Sequence, residues 1–108
     1  MKRINLTEHR SLPEHVCLPR GGSQAAEIRR LLLFEQLPGM GEVAARARRL
    51  ADIAVASGAT EAMIGGAPYL MEVLPAVLRM RGIQPVYPFS IRDDYTGPRK
   101  FAGFVRFE

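Results

Sequence analysis

Glu61-Ala62-Met63-Ile64-Gly65-Gly66-Ala67-Pro68 is the stretch on which the fold turns. Glu61 to Ile64 read as a short buried strand, and two glycines end it abruptly. Pro68 then stands where a first helical turn favours it, because the missing N–H has no partner to lose there. A strand running straight into a helix through a glycine turn is half of a β-α-β unit, so the neighbouring segments should supply the rest.

Towards the C-terminus, Leu70, Met71, Leu74, Val77 and Leu78 recur at helical spacing and predict one helix from Pro68 to Gly82. Pro75 lies inside that span and predicts a kink or a locally opened backbone there. Ile83 to Arg92 reads as a strand whose two prolines, Pro85 and Pro88, predict that part of it is an edge or bulged strand. Residues 93–98 read as a turn. From Arg99 to Phe107 the chain alternates again, with Phe101, Gly103, Val105 and Phe107 on one face and Lys100, Ala102, Phe104 and Arg106 on the other. These last two strands make a hairpin.

Towards the N-terminus, a helix over about Gly41–Ser57 is marked by Val43, Ala47, Leu50, Ala51, Ala54 and Val55, with Gly58 as its C-terminal stop. An earlier helix begins at Ser23, read as an N-cap, and runs to about Phe34 with Ile28, Leu31 and Leu32 inward. Val16-Cys17-Leu18 fits a short strand, and Arg3 to Thr7 alternates as the opening strand. The order β-(β)-α-α-β-α-β-β predicts a single α/β domain over 1–108. The expected form is a Rossmann-like three-layer sandwich with a mostly parallel sheet and a C-terminal antiparallel hairpin.

Composition agrees. With 108 residues there is room for one modest core, and 47% hydrophobic against 24% charged residues is ordinary for a globular chain. No apolar run approaches a membrane span, and Met1-Lys2-Arg3-Ile4-Asn5-Leu6-Thr7 turns polar too early for a signal peptide. Cys17 is the one cysteine, so no internal disulfide is expected, which fits a reducing cytoplasm. The net charge of +4 is concentrated, since residues 20–50 hold six arginines (20, 29, 30, 46, 48, 49) against Glu27, Glu35 and Glu42. Such a surplus favours an anionic partner, or else it is the solvated face of two helices.

Ligands of open α/β sheets sit beyond the C-terminal strand ends. Three segments converge there: Thr7-Glu8-His9-Arg10, Gly65-Gly66-Ala67-Pro68-Tyr69, and Ser90-Ile91-Arg92. The glycines allow close backbone approach, and a helix N-terminus after them would favour an anion; a plain turn explains them equally well. Neither a G-x-G-x-x-G fingerprint nor a Gly-Lys-Ser/Thr phosphate loop is present. His9 and His15 lack a ligand cluster, so neither a metal nor another cofactor is expected. His9 suits proton transfer near neutral pH, or is a surface histidine. Tyr69 is placed to stack on a base or to pack, and Arg92 with Lys100 to clamp phosphate or to stand as exposed charges.

Three groups of residues carry a resemblance. Thr7-x-His9 is followed by Pro13-Glu14. Ile64-Gly65-Gly66-Ala67-Pro68-Tyr69-Leu70-Met71 is the second group, and Gly82-Ile83-x-Pro85-Val86-Tyr87 with Ser90-x-Arg92 the third. In this layout the chain resembles the small stand-alone CRISPR-associated Rossmann-fold (CARF-like) proteins, ring nucleases among them. The resemblance covers most of the chain in order; Gly97-Pro98-Arg99-Lys100 only approximates the family's Gly-x-x-x-Arg-Lys ligand motif, and Pro88 interrupts the strand leading to Ser90. It implies a homodimer that binds a cyclic oligoadenylate between protomers and cleaves it without a metal, in CRISPR-linked antiviral signalling. On that basis His9, Arg10 and Arg92 would transfer protons and neutralise charge. Thr7, Ser90, Gly65, Gly66, Ala67, Pro68, Tyr69 and Lys100 would contact the ligand. Two alternatives stay open: a non-catalytic α/β interaction module of a mobile element or prophage docking an acidic partner, and an enzyme acting on a small phosphorylated metabolite.

Overall fold

A computed structural model describes residues 2–9, 16–91 and 97–106. It is an α/β structure with the element order β1 (Arg3–Leu6), α1 (Gly22–Leu32), α2 (Met40–Ala56), β2 (Glu61–Ile64), α3 (Pro68–Met71), α4 (Leu74–Met80), β3 (Gln84–Ile91) and β4 (Lys100–Arg106). The strands form one open sheet in the order β1-β2-β3-β4. β1 pairs parallel to β2 and β2 parallel to β3, while β4 returns antiparallel on β3. The mostly parallel sheet and the terminal hairpin are thus as the sequence implies.

Because β1, β2 and β3 lie in chain order, both crossovers step in the same direction. Right-handed crossovers then carry α1–α2 and α3–α4 to the same side. The core agrees: Ile4, Leu6, Ala62 and Ile64 of one sheet face share a cluster with Ile28 of α1, Val43, Ala47, Leu50, Ala51, Ile53 and Ala54 of α2, Leu70 of α3, and Leu74 and Leu78 of α4. Met63 and Val86, opposite each other in the register, point to the other face and are fully buried outside that cluster. The strand order never reverses, so the crevice that a reversal opens in doubly wound sheets has no counterpart among the described residues.

Several local expectations need correction. Val16-Cys17-Leu18 is not a strand; its tie to the sheet is the Leu18 N–H donating to the Arg3 carbonyl at 2.7 Å. Helix α1 starts at Gly22 after a Gly21 cap, one residue before Ser23, and ends at Leu32. In α2 the inward position falls to Ile53, whereas Val55 is exposed. The expected single helix over 68–82 is two, the backbone opening at Glu72 and Val73, just before Pro75. Pro75 offers no N–H to continue the ladder from α3, and it stands in the first turn of α4, where none is needed.

Strand β3 lies between β2 and β4 only as far as Val86; beyond it the strand pairs with β4 alone. The part that carries Pro88 is therefore an edge as expected, while the bulge falls on β4 and not on β3. Gln84 donates its N–H to the Thr60 carbonyl beside β2, and alternation points the nitrogens of Val86 and Pro88 the same way. The β2 pairing ends at Met63–Val86, so the nitrogen of Pro88 meets no ladder partner. On β4, Phe89 pairs with Gly103 but Ser90 pairs with Phe101, which leaves Ala102 as the extra residue of a bulge. The bulge reverses the alternation. Phe101 and Phe104, expected on opposite faces, come onto one and meet edge to face with centroids 5.1 Å apart.

At the N-terminal end of the sheet, Glu61 is buried and accepts from two arginines. Arg3 Nε donates to Oε1 at 2.7 Å, and Arg106 reaches across from β4 to donate to Oε2 at 3.1 Å. The Arg3 guanidinium also lies over the Phe104 ring, 3.9 Å from its centroid. This is the opposite end of the sheet from the loops considered next.

Candidate functional site

The register aligns Leu6 with Ile64, so the loops that leave β1 and β2 emerge side by side. A methyl group on Gly65 would stand 3.7 Å from Thr7 Cγ2. The first loop is fixed by its own side chains. Asn5 Oδ1 accepts from the Thr7 N–H at 2.8 Å and from Thr7 Oγ1 at 2.6 Å. Thr7 Oγ1 accepts in turn from the His9 N–H at 3.0 Å, and Asn5 Nδ2 donates to the His9 carbonyl at 2.9 Å. Arg20 Nη1 crosses to the Asn5 carbonyl at 2.9 Å and the Thr7 carbonyl at 3.2 Å. Thr7 is therefore buried, with its one hydroxyl proton committed to Asn5, while His9 lies just past this fixed turn.

Two clefts adjoin this loop. One, of about 480 Å³, is lined by Thr7, Glu8, Arg20, Gly22, Ala25, Ala26, Arg29 and Arg30. The other, of about 340 Å³, is lined by Thr7, Glu8, Leu32, Gly65, Gly66 and Ala67. Thr7 and Glu8 form the ridge between them. The Glu8 carboxylate stands 3.3 Å from Arg29 Nε, in a pair with both side chains more than half exposed. Three guanidinium groups against one carboxylate leave the larger cleft with a surplus of positive charge, whereas the described residues of the smaller one include no cation.

The expected site residues separate into groups. Thr7, Gly65, Gly66 and Ala67 are brought together around the smaller cleft. Gly66 takes φ +146°, a conformation closed to other residues, so the turn itself requires it. Pro68 opens a helix of four residues, too short for the dipole expected of a longer one. Tyr69 packs: its ring meets Phe34 edge to face at 5.1 Å. Ser90 and Lys100 lie at the same end of the sheet but farther out along the hairpin, and neither lines the two clefts. Arg10 and Arg92 lie outside the described residues, as do Pro13, Glu14 and His15.

Glu8, Arg20, Arg29 and Arg30 do not stand out in the sequence as one site. The signal available is the arginine surplus, which the fold divides in two. Arg46 and Arg49 serve the α1–α2 contact: Arg46 Nη1 donates to the Leu33 carbonyl at 2.6 Å, and Arg49 makes a two-point pair with Glu27 at 2.6 and 2.9 Å. That pair holds the Glu27 carboxyl below the usual glutamate range, chiefly through the hydrogen bond from Arg49. Arg20, Arg29 and Arg30 line the cleft beside Thr7 and Glu8. Arg20 also holds the first loop through its bonds to the Asn5 and Thr7 carbonyls, and Arg30 borders a neighbouring cleft as well.

Half-buried Cys17 has its thiol pushed up by burial, against the pull of Arg3 and Arg20. Burial thus disfavours the thiolate relative to a free cysteine. Among the described residues no group of three or more His, Cys, Asp or Glu side chains is arranged to hold a metal ion. No described helix is long and apolar enough to cross a membrane. Comparison with protein-family models, curated proteins and solved structures gives no match.

Proposed function

We propose that the chain binds an anionic, nucleotide-type ligand at the C-terminal edge of its sheet, with the phosphate held in the arginine-lined cleft. The observation that carries this is the convergence of Arg20, Arg29 and Arg30 on one cleft beside the rigid Thr7–His9 turn and the Gly65–Gly66 backbone. Arginines present forked donors matched to phosphate oxygens, and the glycines leave room for a sugar or base to approach the main chain.

The resemblance to CARF-like proteins makes a cyclic oligoadenylate the ligand, and CRISPR-linked antiviral signalling in the cytoplasm its setting. It also brings a homodimer whose second protomer completes a cleft large enough for the ring. In the metal-independent ring nuclease reaction a ribose 2′-hydroxyl loses its proton and attacks the neighbouring phosphorus. The bond from that phosphorus to the 5′-oxygen breaks, leaving a 2′,3′-cyclic phosphate and a 5′-hydroxyl that takes up a proton. The protein's work is then alignment and charge stabilisation. His9 is the titratable side chain at the end of the fixed turn, with Arg10 and Arg92 completing the assignment. A Rossmann-like third layer belongs to the same reading; the full burial of Met63 and Val86 on the face away from the helices supports it.

The test is direct. The purified chain is incubated with cyclic oligoadenylates of several ring sizes, and thermal shift and chromatographic product formation are followed. Stabilisation that disappears in Arg29→Ala and Arg30→Ala supports the site, and linear product lost in His9→Ala supports the chemistry. Absence of any shift with every ring, and with simple nucleotides, removes the reading.

A second reading, a non-catalytic interaction module, has its own observation. Leu33 and Leu37 are exposed in a cleft of about 420 Å³ that also holds Arg30, Glu35, Glu42 and Arg46. Partner capture that is lost in Leu37→Asp while nucleotide binding persists would favour it.

A further inference from the structure

Among the described residues Glu8 is the one acidic side chain in both clefts, and an anion site has no evident use for it. Its surroundings assign it one. The main chain on either side is fixed by the bonds among Asn5, Thr7, His9 and Arg20, so the carboxylate is rooted at a constant position on the ridge. Its pair with Arg29, at 3.3 Å and half exposed, involves one carboxylate oxygen, and a carboxylate has acceptor capacity well beyond one partner. Thr7, the other polar side chain of the smaller cleft, has its proton committed to Asn5 and already accepts from the His9 amide. Glu8 is thus the acceptor that remains for a ligand reaching from the arginines towards Gly65 and Gly66.

We infer that Glu8 is the specificity-determining residue of this site. It takes a hydroxyl or amino donor of the bound molecule while the arginines hold its phosphate, and it repels molecules whose negative charge extends into the smaller cleft. The ligand class selected is a phosphate ester or diester carrying hydrogen-bond donors beside the phosphate that the arginines hold, such as a nucleotide, a cyclic oligonucleotide or a sugar phosphate. Compact polyanions are excluded. A like charge facing an incoming anion discriminates by repulsion, which is how specificity is commonly set against a competitor. This inference rests on the anion-binding reading above and adds a sign to it.

Calorimetric titration of the whole chain with inorganic pyrophosphate and with adenosine 5′-monophosphate, in the wild type and in Glu8→Gln, tests it. Pyrophosphate should bind the variant about three-fold more tightly and the nucleotide about three-fold more weakly, the scale of one exposed charged contact. The opposite directions are diagnostic, because a loosened loop would weaken both. Equal affinities, or shifts of both probes in one direction, overturn the role of Glu8 while binding by the wild type leaves the anion site standing. If the wild type binds neither probe, the site and this inference fall together. An unchanged thermal midpoint is expected for the variant, since the Glu8 side chain is more than half exposed.

Discussion

Arg46 Nη1, on the second helix, donates to the carbonyl of Leu33, just past the end of the first, at 2.6 Å. The same nitrogen lies 3.2 Å from the Arg30 carbonyl, and the guanidinium is 4.2 Å from the centroid of Phe34. The last carbonyls of a helix have no partner within it, so a neighbouring arginine closes α1 in place of the glycine cap that other helices use. A cation that the sequence suggested for an external partner is thereby committed to the fold.

Arg46→Ala should destabilise the chain by about 1 to 2 kcal/mol, combining lost charged hydrogen bonds with the lost ring contact. Arg46→Lys should recover only part of it, because a single ammonium cannot meet several carbonyls and lie flat on Phe34 at once. Urea unfolding midpoints of the three proteins give the comparison. Equal stabilities would show that α1 ends without this support.

Glu61 presents a stronger case. Its carboxylate is buried, and Arg3 is only 15% exposed, so this side of the pair is little screened. Glu61→Gln leaves both arginines without their counter-charge and should cost about 3 kcal/mol, the usual penalty for breaking one side of a buried pair. Most of that loss comes through Arg3, since Arg106 is 39% exposed and can rehydrate. Arg106→Ala should accordingly cost less than Arg3→Ala in chemical denaturation.

The Glu27–Arg49 pair makes a prediction in pH. A carboxyl held below its ordinary range by Arg49 favours the folded state above the unfolded-chain value, and that contribution is lost as pH falls through the lowered folded value. The α1–α2 contact should therefore weaken below the ordinary glutamate range and be indifferent to pH near neutrality. Carboxyl-selective NMR titration should find Glu27 below the usual glutamate value in the wild type and back at it in Arg49→Ala. An unchanged titration would remove the pair.

How far these arrangements can be read from residues depends on their reach along the chain. The β2–Gly65–Gly66 junction, the apolar stripe of α2 from Val43 to Ala54 apart from Ile53, and the pairing of the last two strands are local patterns, and they stand as the sequence implies. Pro75 misleads because a proline inside an apolar stripe and a proline opening a new helix look alike until the preceding turn is seen. The bulge at Ala102 misleads because one extra residue inverts a period of two, and strand alternation gives no warning of it. Glu61 and Arg106 are 45 residues apart, and Arg20 lies 13 from Thr7, so their pairing belongs to topology. Asn5-x-Thr7-x-His9 is the most accessible of the missed signals, since Asn and Thr habitually bond to backbone two residues on.

The two central glycines now make separable predictions. Gly66 has φ +146°, and a methyl group added there would stand 3.8 Å from the Leu32 side chain and 3.9 Å from that of Met71. Space is adequate, and conformation is the obstacle. Gly66→Ala should destabilise by about 1 to 3 kcal/mol, the cost of forcing a side chain into a backbone region reserved for glycine. Gly65 has no such angle, and an added methyl would meet Thr7 Cγ2 at an ordinary 3.7 Å. Gly65→Ala should leave the thermal midpoint within about a degree or two, since surface changes without strain are small. Yet that methyl would narrow the cleft shared by Thr7, Glu8 and Ala67, so nucleotide affinity should fall while stability does not. Measuring both properties on both variants separates a glycine kept for the turn from one kept for a ligand. If Gly65→Ala binds as well as the wild type, the smaller cleft takes no part in recognition and the ligand is held by the arginines alone.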